Sequence, residues 1–359
     1  MTPRSTRAAV VAAAGTEPTI SEIDLREPAP NEVLVRVVST GVCHTDVAWA
    51  DGQLFDRFPA VLGHESAGIV EAVGSRVTRV APGDRVALGL SHHCGHCRFC
   101  ESGRPMLCER REEQEDRMTW RGQPIVQGFG TGAFSEFTIV KESSAILVPD
   151  GVPLDVAAIT GCATSTGLGA VFNIAEVEYG STVAVLGAGG VGLSVVMGCV
   201  LAGAARIVVA DPNPERRAAA LEFGATDAVE PTMDALTGAI GGRYDFVFES
   251  AGVKAAMELA IPVTDRGGAV TLIGAAAPDV EVSFNALEFV PSQRRILGCS
   301  TGNVRPHVDF PRYFELYRQG RLPLDRLIAG SVDFTDIAEG FERNRRARGI
   351  RTIVRVGAE

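Results

Sequence analysis

Lysine is almost missing from this chain: Lys141 and Lys254 are the only two among 34 basic residues, and arginine supplies the rest. The scarcity reads as codon usage in a GC-rich genome and implies nothing about function. Positive charge as a whole is in deficit, with 34 Lys and Arg against 44 Asp and Glu, a formal charge of −10. That balance argues against a phosphate-backbone binder or an anionic-membrane partner, so neither nucleic acid nor membrane is expected. Also lacking are a long linker, an internal repeat and any low-complexity segment. With 359 residues, 46% hydrophobic and 22% charged, the chain is too long for one ordinary core, and two domains are expected.

Targeting signals are missing too. Arg4 and Arg7 precede the apolar run Ala8 to Ala14, but this short run flows into Glu17, Glu22 and Asp24 as alternating strand, unlike a secretory leader. The uncharged stretch 179–205 could span a bilayer on length alone. It holds Gly180, Gly187, Gly189, Gly190, Gly192, Gly198 and Gly203, a density that marks a strand, a tight turn and a buried helix instead. A soluble, cytoplasmic protein is expected. In a reducing compartment, clustered cysteines point to metal or redox chemistry before disulfides.

What is present falls into two textures. Residues 8–160 carry short β-rich runs (33–38, 66–73, 84–88, 134–140) between Gly, Pro and Asp turns, which predicts an antiparallel, barrel-like or α+β unit. Residues 164–300 alternate strands (182–186, 206–210, 228–229, 244–248, 269–273) with helices (from 191, 214–223, 254–260), which predicts a doubly wound parallel sheet. The last sixty residues predict helices at 310–319 and 336–345 and a strand at 351–356, belonging to either unit.

Gly187-Ala188-Gly189-Gly190-Val191-Gly192 follows the strand 182–186 and opens a helix. In such a fingerprint Gly187 makes the tight turn, Gly189 lets the backbone approach a pyrophosphate, and Gly192 allows close helix–strand packing, with the helix N-terminus donating amides. Asp211 ends the next strand, where an acid accepts from ribose hydroxyls and repels a 2′-phosphate, favouring NAD over NADP. Arg216 and Arg217 could soften that preference. The competing account is a glycine-rich packing turn.

Cys94, Cys97, Cys100 and Cys108, four of the eight cysteines, fall within fifteen residues. Four thiolates close a tetrahedral zinc to substrate, so this site is expected to be structural. A disulfide pair or an iron–sulfur cluster is the competing account. His92, His93 and His96 read as exposed loop residues. Cys199 and Cys299 read as packing residues.

Cys43, His44, His64, Glu65 and Cys162 are scattered, and chemistry alone does not assemble them. However, Gly63-His64-Glu65-Ser66-Ala67-Gly68 continuing to Gly74 and Val77, Gly41-Val42-Cys43-His44-Thr45-Asp46, the four-cysteine lobe, Gly161-Cys162 and the glycine fingerprint occur in order over residues 7–356. In this the chain resembles the zinc-containing alcohol dehydrogenases of the medium-chain dehydrogenase/reductase superfamily. The resemblance implies an α/β protein: a GroES-like, β-barrel-type catalytic domain at 1–163 and 301–359, and a Rossmann domain at 164–300 binding NAD(H). It implies two zinc ions per subunit, one structural and one catalytic. Cys43, His64 and Cys162 would hold the catalytic ion, with Glu65 a transient ligand and Asp46 fixing the His64 tautomer.

The resemblance further implies reversible hydride transfer between NAD and a primary or secondary alcohol. Thr45 would take the hydroxyl proton, His44 and Arg351 would contact the pyrophosphate, and Thr166 would lie near the nicotinamide. Many relatives carry a histidine where this chain has Ala48, so the relay would end at the ribose, at water or at His44. By spacing, Leu54, Leu90, Gly128 and Phe129 would line the substrate pocket, the glycine suggesting room for a bulky or aromatic alcohol. Such enzymes are dimers or tetramers, implying a homodimer or homotetramer. The alternatives are a thiol-dependent (mycothiol or glutathione type) formaldehyde dehydrogenase, which shares these motifs, and a non-catalytic metal- and NAD-binding relative, against which the presence of Cys43, His64 and Cys162 speaks.

Overall fold

The computed structural model describes residues 4–90, 93–110 and 116–359. The chain divides into two units, Met1–Cys162 with Arg305–Glu359, and Ala163–Val304. The divisions fall at 162/163 and 304/305 rather than at 163/164 and 300/301.

The first unit begins with β1 (Arg4–Val11), β2 (Thr19–Leu25), β3 (Glu32–Gly41), α1 (His44–Ala50), β4 (Ala60–Val61), β5 (Glu65–Val73), β6 (Arg85–Leu88) and α2 (Arg98–Glu101). It continues through β7 (Met118–Trp120), β8 (Gln123–Pro124), β9 (Val126–Gln127), β10 (Phe137–Lys141), β11 (Ala145–Leu147) and α3 (Leu154–Ile159). The arginine- and alanine-rich start is a strand, β1, paired with β2 from Arg4↔Leu25 to Val10↔Thr19.

Inside the second unit come α4 (Ser165–Gly169), β12 (Thr182–Leu186), α5 (Gly190–Ala202), β13 (Arg206–Ala210), α6 (Pro214–Glu222), β14 (Asp227–Val229), α7 (Met233–Ile240), β15 (Tyr244–Glu249), α8 (Lys254–Val263), β16 (Thr264–Leu272), α9 (Ala286–Ser292) and β17 (Arg295–Gly298). The chain then returns to the first unit with α10 (Pro306–Arg318), β18 (Ile328–Asp333), α11 (Ile337–Arg345) and β19 (Arg351–Arg355).

Two mostly antiparallel sheets build the first unit, ordered β8-β7-β2-β1-β4-β9 and β11-β6-β5-β3-β19-β18, with β10 also on β3. β3 is the keystone: nine of its ten residues are buried, and its Val-rich sequence suits a strand covered on both faces. β5 runs along one edge; β10 (Lys141↔Glu32 to Phe137↔Arg36) and β19 (Arg355↔Ser39 to Ile353↔Gly41) divide the other. The last residues return because they complete a core: Val332, Phe341 and Val354 pack with Val42, Trp49, Leu62 and Phe134.

The second unit is one six-stranded parallel sheet, ordered β14-β13-β12-β15-β16-β17. The order reverses at β12, where a doubly wound sheet opens its ligand crevice. The glycine-rich uncharged stretch resolves into β12, a turn and α5. α7, α9 and β17, short elements absent from the sequence-based expectation, complete the layer. Among the described residues, one helix, Leu154–Ala175, is long and apolar enough to cross a membrane, but 89% of its apolar window is buried in the fold.

Candidate active site

α1 begins at His44 with Cys43 as its extended cap residue, and Asp46 fills the third helical position. The Asp46 carboxylate is fully buried and serves three partners. Its Oδ2 accepts from the Cys43 amide at 3.2 Å, and its Oδ1 accepts from the Gly63 amide at 3.0 Å and from His64 Nδ1 at 2.9 Å. One side chain thus closes the helix start, ties it to the strand entering β5, and leaves His64 Nε2 available as a ligand atom.

Glycines make the approach possible. Gly63 has φ 94°, and a Cβ there would lie 2.6 Å from the Phe134 nitrogen. At Gly41 a Cβ would meet Glu65 Oε2 at 2.5 Å, and at Gly161 it would meet the Leu88 carbonyl at 2.5 Å. Cys162 sits in a widened π turn, Thr160–Thr164, a feature frequent at functional sites.

The outcome is that Cys43, His64, Glu65 and Cys162 each offer a ligand atom within 4.8 Å of all the others. Donors of a tetrahedral zinc lie about 3.3–3.8 Å apart, given bonds of about 2.0–2.3 Å. Two sulfurs and one imidazole this close fit that ion, leaving one position for an exogenous oxygen.

The electrostatics suit a cation. A hydrogen bond from the Cys162 thiol holds Cys43 well below the usual thiol range despite burial, aided by Arg351 and His64. The same hydrogen bond and burial push Cys162 up. Burial opposes protonation of His64, yet Asp46 and Cys43 outweigh it and raise its pKa. Burial pushes Glu65 up to about 7, against the pull of Arg351.

Arg351, expected to contact a pyrophosphate, is 6% exposed, with Nη2 donating to Glu65 Oε1 at 2.8 Å and lying 3.6 Å from Cys43 Sγ. Glu65, Cys43 and Cys162 concentrate acidic groups in a desolvated space, and a buried guanidinium is retained where such counter-charge exists. Thr45 Oγ1 lies 3.6 Å from Cys43 Sγ, and His44 is exposed on the first turn of α1.

Of the residues expected to line a substrate pocket, Phe129 meets the site directly, its ring 4.5 Å from that of His64. Leu54 is half-buried and Leu90 buried. At Gly128 a Cβ would meet Leu62 Cδ2 at 2.8 Å and the Val61 carbonyl at 3.0 Å, so the glycine answers to crowding by its own neighbours. Two aromatic neighbours escaped the sequence reading: Trp49, edge-on to Phe129 at 5.0 Å, and Phe55, 4.5 Å from Trp49 and 41% exposed. Their signal was position, on and just after the helix that Cys43 starts.

The second cluster lies in the same unit. Cys94, Cys97, Cys100 and Cys108 bring their sulfurs within 4.8 Å of one another, with Cys97 and Cys100 at 3.5 Å and Cys94 and Cys100 at 3.9 Å. Amides of Cys94 and Arg110 donate to Cys108 Sγ at 3.3 and 3.4 Å. Backbone amides of Cys100 and Glu109 draw Cys97 down to about 6, while burial pushes Cys100 up to about 12. All eight cysteines are free thiols, and the four sulfurs form a closed donor set for zinc. His96 is exposed and bonds the Cys94 carbonyl, while His92 and residues 111–115 lie outside the described residues. Cys199 is buried and Cys299 mostly so; burial pushes both thiols up.

In the second unit the turn after β12 has Gly187 at φ 99°, Gly189 with open space where a Cβ would project, and Gly192 whose Cβ would fall 1.9 Å from the Gly187 carbonyl. Gly190 and Val191 open α5, whose N-terminus supplies amide donors. Asp211 is 3% exposed; Oδ2 accepts from the Ala188 amide and Oδ1 from the Asn213 amide, each at 2.8 Å. Each carboxylate oxygen keeps a lone pair that a ribose hydroxyl could use. Arg217 donates to the Asp211 carbonyl at 2.8 Å, whereas Arg216 is half-buried on α6. Thr166 is buried in α4.

Residues 29–150 match the alcohol dehydrogenase GroES-like domain, and residues 190–319 match the zinc-binding dehydrogenase family. An alcohol dehydrogenase zinc-binding domain protein from Burkholderia ambifaria is 34% identical, covering 99% of this chain and 100% of its own, with a TM-score of 0.94. Benzyl alcohol dehydrogenase from Acinetobacter calcoaceticus is 28% identical over 99% and 100%, with a TM-score of 0.93. Acetophenone reductase from Geotrichum candidum, solved with NAD, is 26% identical over 99% and 98%, with a TM-score of 0.82.

Proposed function

From a chain that belongs to the zinc-containing alcohol dehydrogenase family of the medium-chain dehydrogenase/reductase superfamily, oxidoreductases that use zinc and a nicotinamide cofactor, we propose an enzyme for the reversible NAD-linked oxidation of primary or secondary alcohols bearing an aromatic or similarly bulky group. The observation that carries this reading is the convergence of Cys43, His64 and Cys162 within 4.8 Å, three protein donors that leave a fourth position open. The aryl preference draws on the Phe129 ring beside His64, with Trp49 and Phe55 packed behind it, and on the likeness to benzyl alcohol dehydrogenase and acetophenone reductase.

Cys43, His64 and Cys162 would hold the ion, which when bound supplies Lewis-acid polarisation of the substrate oxygen. Asp46 keeps His64 in the tautomer that presents Nε2. Arg351 offsets the charge of Glu65 and the thiolates, while the burial of these groups excludes water. Thr45 Oγ1 is the acceptor for the hydroxyl proton. Beyond it, Ala48 offers no titratable group, so His44, exposed on the same turn, is the exit to solvent. Gly187, Gly189, Gly192 and Asp211 would hold the dinucleotide, which when bound would supply the hydride acceptor, and Asp211 would favour NAD over NADP. Ala48→His should therefore alter the pH dependence of alcohol oxidation, and an unchanged profile would remove the truncated-relay idea.

A structural zinc at Cys94, Cys97, Cys100 and Cys108 completes two ions per subunit. We also propose a cytoplasmic homodimer or homotetramer, supported by Leu287, Val290 and Phe284, which are 84%, 75% and 48% exposed in the second unit. The decisive experiment is a panel of alcohols and aldehydes assayed with NAD and NADP, before and after chelation. Benzyl-type alcohols with NAD should be the best substrates and chelation should abolish turnover. Activity confined to formaldehyde plus a low-molecular-weight thiol would replace this reading with the formaldehyde dehydrogenase one.

A further inference from the structure

A chain of buried polar side chains outside the metal site ends beside it. Glu32, at the start of β3, is fully buried and accepts from Arg26 Nη1 at 2.6 Å, Arg26 Nη2 at 3.1 Å and Arg117 Nε at 2.7 Å. Arg117, 4% exposed, donates through Nη1 to Gln127 Oε1 at 3.0 Å. Gln127, equally buried, donates through Nε2 to the Thr131 carbonyl at 3.1 Å, to Thr138 Oγ1 at 3.0 Å and to the Ile139 carbonyl at 2.8 Å. Thr131 Oγ1 in turn donates to the carbonyl of Gly63 at 2.8 Å, one residue before His64.

The turn spanned by Gln127 and Thr131 has Phe129 at its apex. Phe129 adopts φ 52°, a left-handed conformation that disfavours a bulky residue by about 1 kcal/mol or more. Such a conformer persists only where its surroundings hold it. Burying a carboxylate and a guanidinium is also costly, and well-packed apolar residues often serve stability as well. Both costs fall on the segment that sets one aromatic ring against a metal ligand.

We propose that Arg117 and Gln127 are positioning residues: anchored on Glu32, they fix the 127–131 turn so that Phe129 stands against His64 and Trp49, and thereby set selectivity for aryl-bearing substrates. The consequence for selectivity rests on the aryl-alcohol reading above; the placement of Phe129 does not.

The test uses zinc-loaded enzyme in a Trp120→Phe background, which leaves Trp49 as the single indole, since the chain has two tryptophans. Gln127→Met keeps the volume and removes every side-chain bond that Gln127 makes. It should change the near-ultraviolet circular dichroism of Trp49 and lower the ratio of kcat/KM for benzyl alcohol to that for ethanol by about tenfold, through KM more than kcat. In a Phe129→Ala background the same substitution should change that ratio by less than about twofold, because its target is gone. If Gln127→Met does not fold, Arg117→Lys retains the charge facing Glu32 but lacks the fork that reaches Gln127, and it should shift both readouts in the same direction. An unaltered Trp49 band, or an undiminished effect in the Phe129→Ala background, overturns the proposal. A wild-type enzyme inert toward benzyl alcohol would sink the aryl reading, while a changed Trp49 band would still uphold the positioning role.

Discussion

The two cysteine clusters lie in one unit and are assembled in opposite ways. Cys94 to Cys108 are neighbours in sequence, ordered by backbone turns, with amides of Cys94 and Arg110 as the visible donors to sulfur. Cys43, His64 and Cys162 come from a helix cap, the entry to a strand and a widened helical turn, and charged side chains surround them: Asp46 on His64 at 2.9 Å and Arg351 on Glu65 at 2.8 Å. Four sulfurs that accept from backbone amides form a closed clamp. Three donors amid titratable groups, with an aromatic ring on one face, form a place where charge can change during a reaction. On the proposed reading, the contrast separates a metal that would hold the protein together from one that would act on a substrate.

Disabling one site at a time tests that separation. The largest effect is expected from Cys162→Ala, which should cut NAD reduction by at least about 10³-fold, or about 4 kcal/mol in transition-state terms, with the thermal midpoint little changed. Metal analysis should show the four-cysteine ion retained. Cys97→Ser should do the reverse in kind, lowering the midpoint by roughly 5–10 °C through loss of a stabilising ion; an unchanged melting curve would erase the distinction. Asp46→Asn should weaken metal binding at the mixed-donor site by about 10–100-fold, seen in chelator competition, without touching the other.

The smallest effect concerns pH. In metal-stripped protein, burial lifts Glu65 from its ordinary 4.5 to about 7. Across that window the folded chain holds a proton that the unfolded chain has released, so stability falls as pH rises, by at most about 1.4 kcal/mol per pH unit. Urea titrations at several pH values should show the decline flattened in Glu65→Gln; parallel wild-type and variant curves would remove Glu65 from the account.

What was legible in the sequence was local. The Gly187 to Gly192 turn announces itself because each glycine meets a constraint within a few residues, and the four-cysteine lobe because its ligands are adjacent. The mixed-donor site emerged only through resemblance, since nothing in residues 43, 64 and 162 specifies that β3, β5 and the α3 turn will meet. The contact of Arg351 with Glu65 carried no signal in the sequence: the cross-sheet pairing that lays β19 along β3 decides what its guanidinium faces. The crowding at Gly128 was hidden for a related reason, as a missing side chain can make space for a ligand or for the chain itself, and only packing tells which. Trp49 and Phe55 carry no motif, and their value arises from the ring that Phe129 brings to them.

The π turn at Thr160–Thr164 has a consequence for how this helix tolerates change. A residue added to one turn advances everything after it by about 100° around the axis. Cys162 is therefore aimed independently of the stripe formed by Val156 and Ile159, which answers only to the core. Deleting one residue within the turn would close it to a regular helix and swing the thiol off the metal while sparing the upstream packing. Such a variant would misplace one ligand, so the phase of a single helical turn, rather than the identity of any side chain, decides whether the three donors converge.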